Sequence, residues 1–251
     1  MLTYIIPFAF MIISFVFSML GMGGSQLYIP ILFWVGLDFK TEAIPLGMLL
    51  NVVNSSSAMV VYTIKKMVVW SIALPFAITM MIFAPIGVWL NVQLPVKPLI
   101  VFFALFTLTA GVLMLSGWKP KTGALSKRGK FILGLTAGSV LGVIAGLIGR
   151  GGGSFVVPLL FISGLNPKRA AATSSFIVTI AGMSSFISHL YTISTPDWFL
   201  WSFSALAVLI GSQLGSRLMA GKLKPKGVKL IFGTILIGVA ILLITKDVLL
   251  R

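Results

Sequence analysis

Residues 21–43 read GMGGSQLYIPILFWVGLDFKTEA and residues 149–171 read GRGGGSFVVPLLFISGLNPKRAA. A glycine cluster, a short apolar run, a second glycine and a polar turn thus occur twice, at an offset of 128. The copies share Gly21/Gly149, Gly23/Gly151, Gly24/Gly152, Pro30/Pro158, Gly36/Gly164, Lys40/Lys168 and Ala43/Ala171. The register holds without a gap from about residue 13 to about residue 90 and carries Ser56/Ser184, Ser57/Ser185, Trp70/Trp198 and Gly87/Gly215 with it. Self-similarity at a fixed period reads as two homologous halves. They are residues 1–118 and 131–251, joined by a basic linker at 119–130.

The surroundings of the repeat exclude a soluble domain. Of 251 residues, 58% are hydrophobic and only 9% charged, and mean hydropathy is +1.11, the composition of an all-α polytopic membrane protein. Apolar stretches of 18 residues or more recur at 2–20, 43–64, 67–90, 98–117, 131–149, 170–193, 198–220 and 227–245. The first lacks a basic leader and an A-x-A-like cleavage site, so it is read as a membrane segment and not a signal peptide. Net charge is +15, but the basic residues lie in short loops between apolar segments, where they orient the chain; nucleic acid is excluded as a partner. With no Cys, one His and four acids, no metal site or cofactor is expected.

After each glycine cluster comes an apolar segment of about 12 residues, 25–36 and 153–164. As a helix it covers roughly 18 Å, too short for a hydrocarbon layer of about 30 Å. If the eight long stretches each crossed, the 19 Lys and Arg would divide about 9 to 10 between the two sides, with no bias. If each short segment returns the chain to its starting side, one face gathers 14 basic residues against 5, and all four acids, Asp38, Glu42, Asp197 and Asp247, fall on the other. The second model is preferred. It has two re-entrant hairpins and six crossings, arranged as inverted repeats of three crossings each, with the linker cytoplasmic and both termini extracytoplasmic.

Non-helical backbone at membrane depth is tolerated where it packs in protein or lines a wet cavity, so the two glycine tips are expected to face each other. Gly23, Gly24 and Ser25, and Gly151, Gly152, Gly153 and Ser154, would then open short helices with free N–H groups, which attract anions. Arg150 adds a full positive charge in the second half only, because Met22 occupies the matching position. A tip that reaches the interface, with Arg150 extended to headgroups, is the alternative. In the helices that follow, Asn51, Asn54, Ser55 and Ala58 share a face, as do Ser175, Thr179 and Gly182. Asn51, Asn54, Ser175 and Thr179 are candidate donors to an oxyanion, although helix packing in lipid uses the same residue types. His189 is placed at the membrane interface, and Trp70, Trp198 and Trp118 are read as aromatic-belt anchors. Lys119, Lys121, Lys127, Arg128 and Lys130, with Lys222, Lys224 and Lys226, set topology and meet anionic lipid headgroups.

The paired GMGGSQLYIP and GRGGGSFVVP, each followed by a GL turn, with the Ala- and Ser-rich AAATSSF after the second, resemble the sulfite exporter TauE/SafE family over essentially the whole chain. The resemblance implies an inner-membrane transporter, with the bilayer and a small sulfur-containing anion as partners: sulfite, thiosulfate or an organosulfonate such as sulfoacetate. The first copy departs from the pattern, with Ser25 and Gln26 where the second has Gly153 and Ser154, and with Pro45 and Gly47 in place of Thr173 and Ser175. No carboxylate lies within a crossing, so the usual group for proton or sodium coupling is missing and export is the expected direction. An anion channel, uptake of another small organic anion and a membrane-embedded enzyme are the competing readings; the last lacks a nucleophile and base pair. The choice among sulfur anions and the oligomeric state are not fixed by these residues.

Overall fold

A computed structural model describes residues 2–93, 126–148, 153–193 and 196–245, together with 101, 104–105, 108–109, 111–112 and 115–116. The described helices are α1 (Leu2–Leu20), α2 (Ser25–Trp34), α3 (Ile44–Ile64), α4 (Trp70–Gln93), α5 (Lys127–Ile148), α6 (Gly153–Ile162), α7 (Pro167–His189), α8 (Trp198–Gly221) and α9 (Pro225–Leu243). A π-helical turn, Phe39–Ala43, leads into α3, and a 3-10 turn, Leu190–Thr192, follows α7. Among the described residues the regular structure is entirely helical, the form in which a spanning segment satisfies its own backbone. Among the described residues, five helical spans are long and apolar enough to cross a membrane: Phe39–Ile64, Trp70–Leu90, Arg128–Leu147, Pro167–His189 and Trp198–Gly221. The apolar spans Ile5–Leu20 and Gly233–Leu242 are shorter.

The repeat recurs in the element boundaries. Adding 128 to the bounds of α2 and of α4 gives those of α6 and α8, and the last residue of α1, Leu20, aligns with the last of α5, Ile148. The chain turns at the aligned Gly36 and Gly164, both with positive φ (109° and 93°). The next turn is capped at aligned positions too. Asp38 accepts from the Lys40 and Thr41 amides (3.0 and 2.9 Å), and Asn166 accepts from the Arg169 amide (2.9 Å). The boundaries shift by up to four residues from the sequence reading, and α5 starts at Lys127, not 131, so the end of the expected linker is helical.

Packing exchanges partners between the halves. α1 packs along α8, and α5 packs along α4; α4 meets α7 as α8 meets α3, and α3 meets α7 between them. This pattern maps onto itself when the halves are swapped, so the halves interlock. The α4–α5 seam is made by Gly134, Gly138, Gly142 and Gly146 of α5, one per turn. A Cβ on each would come within 2.9 Å of Pro75, Phe76, Met80 and Val88 respectively. Thr79 closes the seam by donating to the Gly134 carbonyl (3.0 Å). At the other seam Gly211 and Gly215 of α8 lie against the Met11 and Phe15 carbonyls, and the Ser14 hydroxyl donates to the Val208 carbonyl. The outward faces of α4 and α8 carry exposed Ile78, Ile82, Trp89, Leu206, Ile210 and Leu214, the surface expected against lipid. Trp70 and Trp198 open aligned helices and are exposed. His189, expected at the interface, ends α7 and is buried (2% exposed).

Candidate functional site

The first glycine tip is set by backbone that other residues adopt at a cost. Gly23 and Gly24 have φ of 86° and 95°, and Gly24 is the N-cap of α2 in the left-handed region. The Leu27 and Tyr28 amides bond back to the Gly24 carbonyl (3.0 and 3.1 Å), which leaves the amides of Ser25 and Gln26 ahead of the first helical bond. Their N–H groups and the helix dipole both point positive charge at the tip.

Two asparagines of α3 cradle this tip. Asn54 Nδ2 donates to the Gly23 carbonyl (2.6 Å) and to the Tyr28 hydroxyl (3.3 Å), while the Ser25 amide makes a long bond to Asn51 Oδ1 (3.4 Å). A Cβ on Gly23 would come within 2.6 Å of Asn51 Cγ, so glycine is required for the approach. The Tyr28 ring is held in turn by Phe10, edge on at 4.9 Å. α7 braces the tip from the other half: Ser174 donates to the Gly21 carbonyl (2.8 Å), and a Cβ on Gly21 would come within 2.7 Å of the Ala171 carbonyl carbon. The Ser212 hydroxyl of α8 donates to the Asn54 carbonyl (2.7 Å).

Polar capacity is left over at this point. Ser25 Oγ, both polar atoms of Gln26, Asn51 Nδ2 and Asn54 Oδ1 have no hydrogen-bond partner among the described residues, and all four side chains are fully buried. An unsatisfied buried donor or acceptor costs about 1–3 kcal/mol, so five such atoms on the first turn of α2 and on α3 make the first tip the candidate place for a polar ligand.

Gly149, Arg150, Gly151 and Gly152 lie outside the described residues. The first described residue of the second tip, Gly153, meets the first tip: a Cβ there would come within 2.6 Å of Met22 Cα, and Met22 is fully buried. Ser154 lies in the first turn of α6. Ser175 and Thr179 are buried, but their hydroxyls donate to their own helix, to the Ala172 and Ser175 carbonyls (2.8 and 2.7 Å). At the positions aligned with Asn51 and Asn54 stand Thr179 and Gly182, and the Asn51 amide occupies the space beside Gly182, whose Cβ would lie 3.1 Å from Asn51 Nδ2.

Sequence reasoning treated Gln26 only as a departure from the repeat. The available signal was a long carboxamide one residue past the glycines in an otherwise apolar segment. On the side of the turn capped by Asp38, a cleft of about 320 Å³ is lined by Thr41, Glu42, Asp197 and Trp201, among others. Its carboxylates already serve backbone amides: Glu42 accepts from Asp38 N (2.8 Å), and Asp197 from Phe199 N and Leu200 N (both 3.0 Å). Among the described residues no group of three or more potential metal ligands comes together.

The family model for the sulfite exporter TauE/SafE matches residues 6–243. The probable membrane transporter protein YunE of Bacillus subtilis is 25% identical over 92% of this chain and 93% of its own length. A probable membrane transporter protein of Xylella fastidiosa is 27% identical over 94% of this chain and 92% of its own. Sulfite exporter TauE/SafE family protein 1 of Arabidopsis thaliana is 39% identical over a segment covering 28% of this chain and 15% of its own. No solved structure matches the chain.

Proposed function

The chain belongs to the sulfite exporter TauE/SafE family, a family of multi-pass membrane transporters, and from that premise we propose that it exports a small sulfur-containing anion by alternating access around a site between the two glycine tips. The observation that carries the reading is the cluster at the start of α2, where Ser25, Gln26, Asn51 and Asn54 hold unpartnered polar atoms at a helix N-terminus. Sulfite, thiosulfate and organosulfonates are small enough to be held by such a set, and their oxygens accept the hydrogen bonds that it offers.

The halves are assigned as inverted repeats about an axis in the membrane plane, with a cytoplasmic linker, extracytoplasmic termini and an inner-membrane location. Two independent features support this: the exchange of helix partners between halves, and the bias of 14 basic residues to 5 between the faces. Arg150 is assigned to the anion. The support is its place in the repeat, as the one charge within a glycine cluster, aligned with Met22 of the first half, together with the contact of Gly153 with Met22 that brings the described ends of the two tips together. An anion leaving an inside-negative cell gains about 2.3 kcal/mol per charge per 100 mV, so export needs no coupling carboxylate.

Flux of sulfite, thiosulfate and sulfoacetate from liposomes carrying the protein tests the reading, with Arg150→Ala beside it. We expect saturable flux for at least one anion and a loss of about tenfold or more in the variant. Unchanged flux in Arg150→Ala removes that residue from the site; no flux for any of the three sinks the assignment.

A further inference from the structure

A site for a bare oxyanion needs donors only, since every oxygen of the ligand accepts and none donates. The first tip is not built that way. Gln26, the second residue of α2, is fully buried with both ends of its carboxamide unpartnered among the described residues, and Asn54 adds an unpartnered Oδ1. Donors are present as well, in Ser25 Oγ and Asn51 Nδ2. Whichever way its amide is turned, Gln26 offers an N–H and a C=O side by side. That edge complements an HO–S=O edge, in which the hydroxyl donates to the amide oxygen and the second oxygen accepts from the amide nitrogen. A fully deprotonated anion would instead bring its lone pairs against Gln26 Oε1.

Resting on the transport function above, we propose that this site selects the hydrogen-bearing monoanion of a sulfur oxyacid, hydrogen sulfite where sulfite is carried, over the fully deprotonated dianion. Desolvation acts in the same direction, because a Born cost rises with the square of the charge and is roughly four times larger for a dianion. The proton then travels on the substrate. This accounts for an export path in which the described spanning helices carry no carboxylate outside the turn at Phe39–Ala43.

The test is binding to the purified full chain by titration calorimetry, at a series of pH values spanning the second dissociation of sulfite. Methanesulfonate, a permanent monoanion without a hydroxyl, and sulfate, a dianion over the same range, run beside it. Sulfite affinity should fall about tenfold per pH unit above that dissociation, tracking the fraction of hydrogen sulfite. Methanesulfonate should bind independently of pH and about tenfold more weakly than hydrogen sulfite, having lost one hydrogen bond. In Gln26→Met hydrogen sulfite and methanesulfonate should bind alike; the wild-type titrations decide the matter if that variant does not fold. Sulfite affinity that is flat or rises with pH, a parallel fall for methanesulfonate, or sulfate bound as tightly as hydrogen sulfite overturns the selection while leaving an oxyanion site in place. Absence of binding by all three overturns the proposed function together with it.

Discussion

Both halves open a ten-residue helix from a glycine cluster, Ser25–Trp34 and Gly153–Ile162, but the helices that follow treat the two tips differently. α3 turns Asn51 and Asn54 onto the first tip, where one accepts from the Ser25 amide and the other donates to the Gly23 carbonyl. α7 has Thr179 and Gly182 at the aligned positions, and Thr179 spends its hydroxyl on the Ser175 carbonyl. Duplication has kept the backbone, down to the aligned ends of α2 with α6 and of α4 with α8, while the side-chain chemistry has parted. In the proposed division, the first half supplies neutral hydrogen bonding and the second supplies the charge of Arg150, at the position where the first half has the apolar Met22.

The largest effect should come from the contact that joins the tips. Gly153→Leu drives a branched side chain into the Met22 backbone, where overpacking costs about 1–3 kcal/mol and more if the backbone cannot yield. Monodisperse protein should be lost on gel filtration. Ser25→Ala, at the aligned position, removes only a hydroxyl and should purify normally with weakened anion binding. If the leucine variant behaves like the parent, the tips do not pack as described. Next in size is the contrast between the following helices. Asn51→Ala should lower anion flux by about tenfold or more, the scale of a lost hydrogen bond to a charged ligand, while Thr179→Val should stay within about twofold. Equal losses in the two would restore symmetric roles and break the comparison.

Much of the fold was legible because glycine, proline and tryptophan mark boundaries in a chain that is otherwise uniformly apolar. The short helices after the glycines and the Trp70 and Trp198 starts follow from the sequence to within a few residues. The partners of the candidate side chains were less legible. Spacing puts Ser175 and Thr179 on one face, but it does not reveal that a hydroxyl in a helix can satisfy itself on a carbonyl three or four residues back, as both do here. An asparagine offers both a donor and an acceptor, so Asn51 and Asn54 reach across to another element. The stripe Gly134, Gly138, Gly142 and Gly146 went unread because its meaning lies in α4, the helix that fills it. Arg150, the one charge within a glycine cluster, lies outside the described residues.

Adjacent serines of α7 give a finer test of which half supports which tip. Ser174 donates across to the Gly21 carbonyl, whereas Ser175 donates within its own helix. Ser174→Ala should cost about 1–2 kcal/mol and lower the apparent melting temperature by roughly 3 °C per kcal/mol. Ser175→Ala should shift it by about 1 °C or less, since a back-bonding hydroxyl contributes little to its helix. The order of the two shifts on a thermal ramp is the measurement. A larger loss at Ser175 would mean that its hydroxyl serves something beyond Ala172.

The smallest effect concerns the turns that return each hairpin, where Asp38 in the first half stands for Asn166 in the second. Both cap the next helical segment, but only the carboxylate titrates. Bonds from the Thr41 backbone N–H, foremost, and from the Thr41 hydroxyl hold the Asp38 carboxyl below its usual range despite its exposure. A folded-state value below the unfolded one means that the cap contributes fully above the ordinary carboxylate range and is lost as pH falls through the lowered value. Hydrogen exchange at the Lys40 and Thr41 amides should therefore gain protection with rising pH, after correction for the intrinsic rate, and level off above the ordinary carboxylate range. The Arg169 amide, capped by Asn166, should show no such step. Asp38→Asn should make the first turn behave like the second; a persistent step in that variant would mean that the step does not belong to the Asp38 cap.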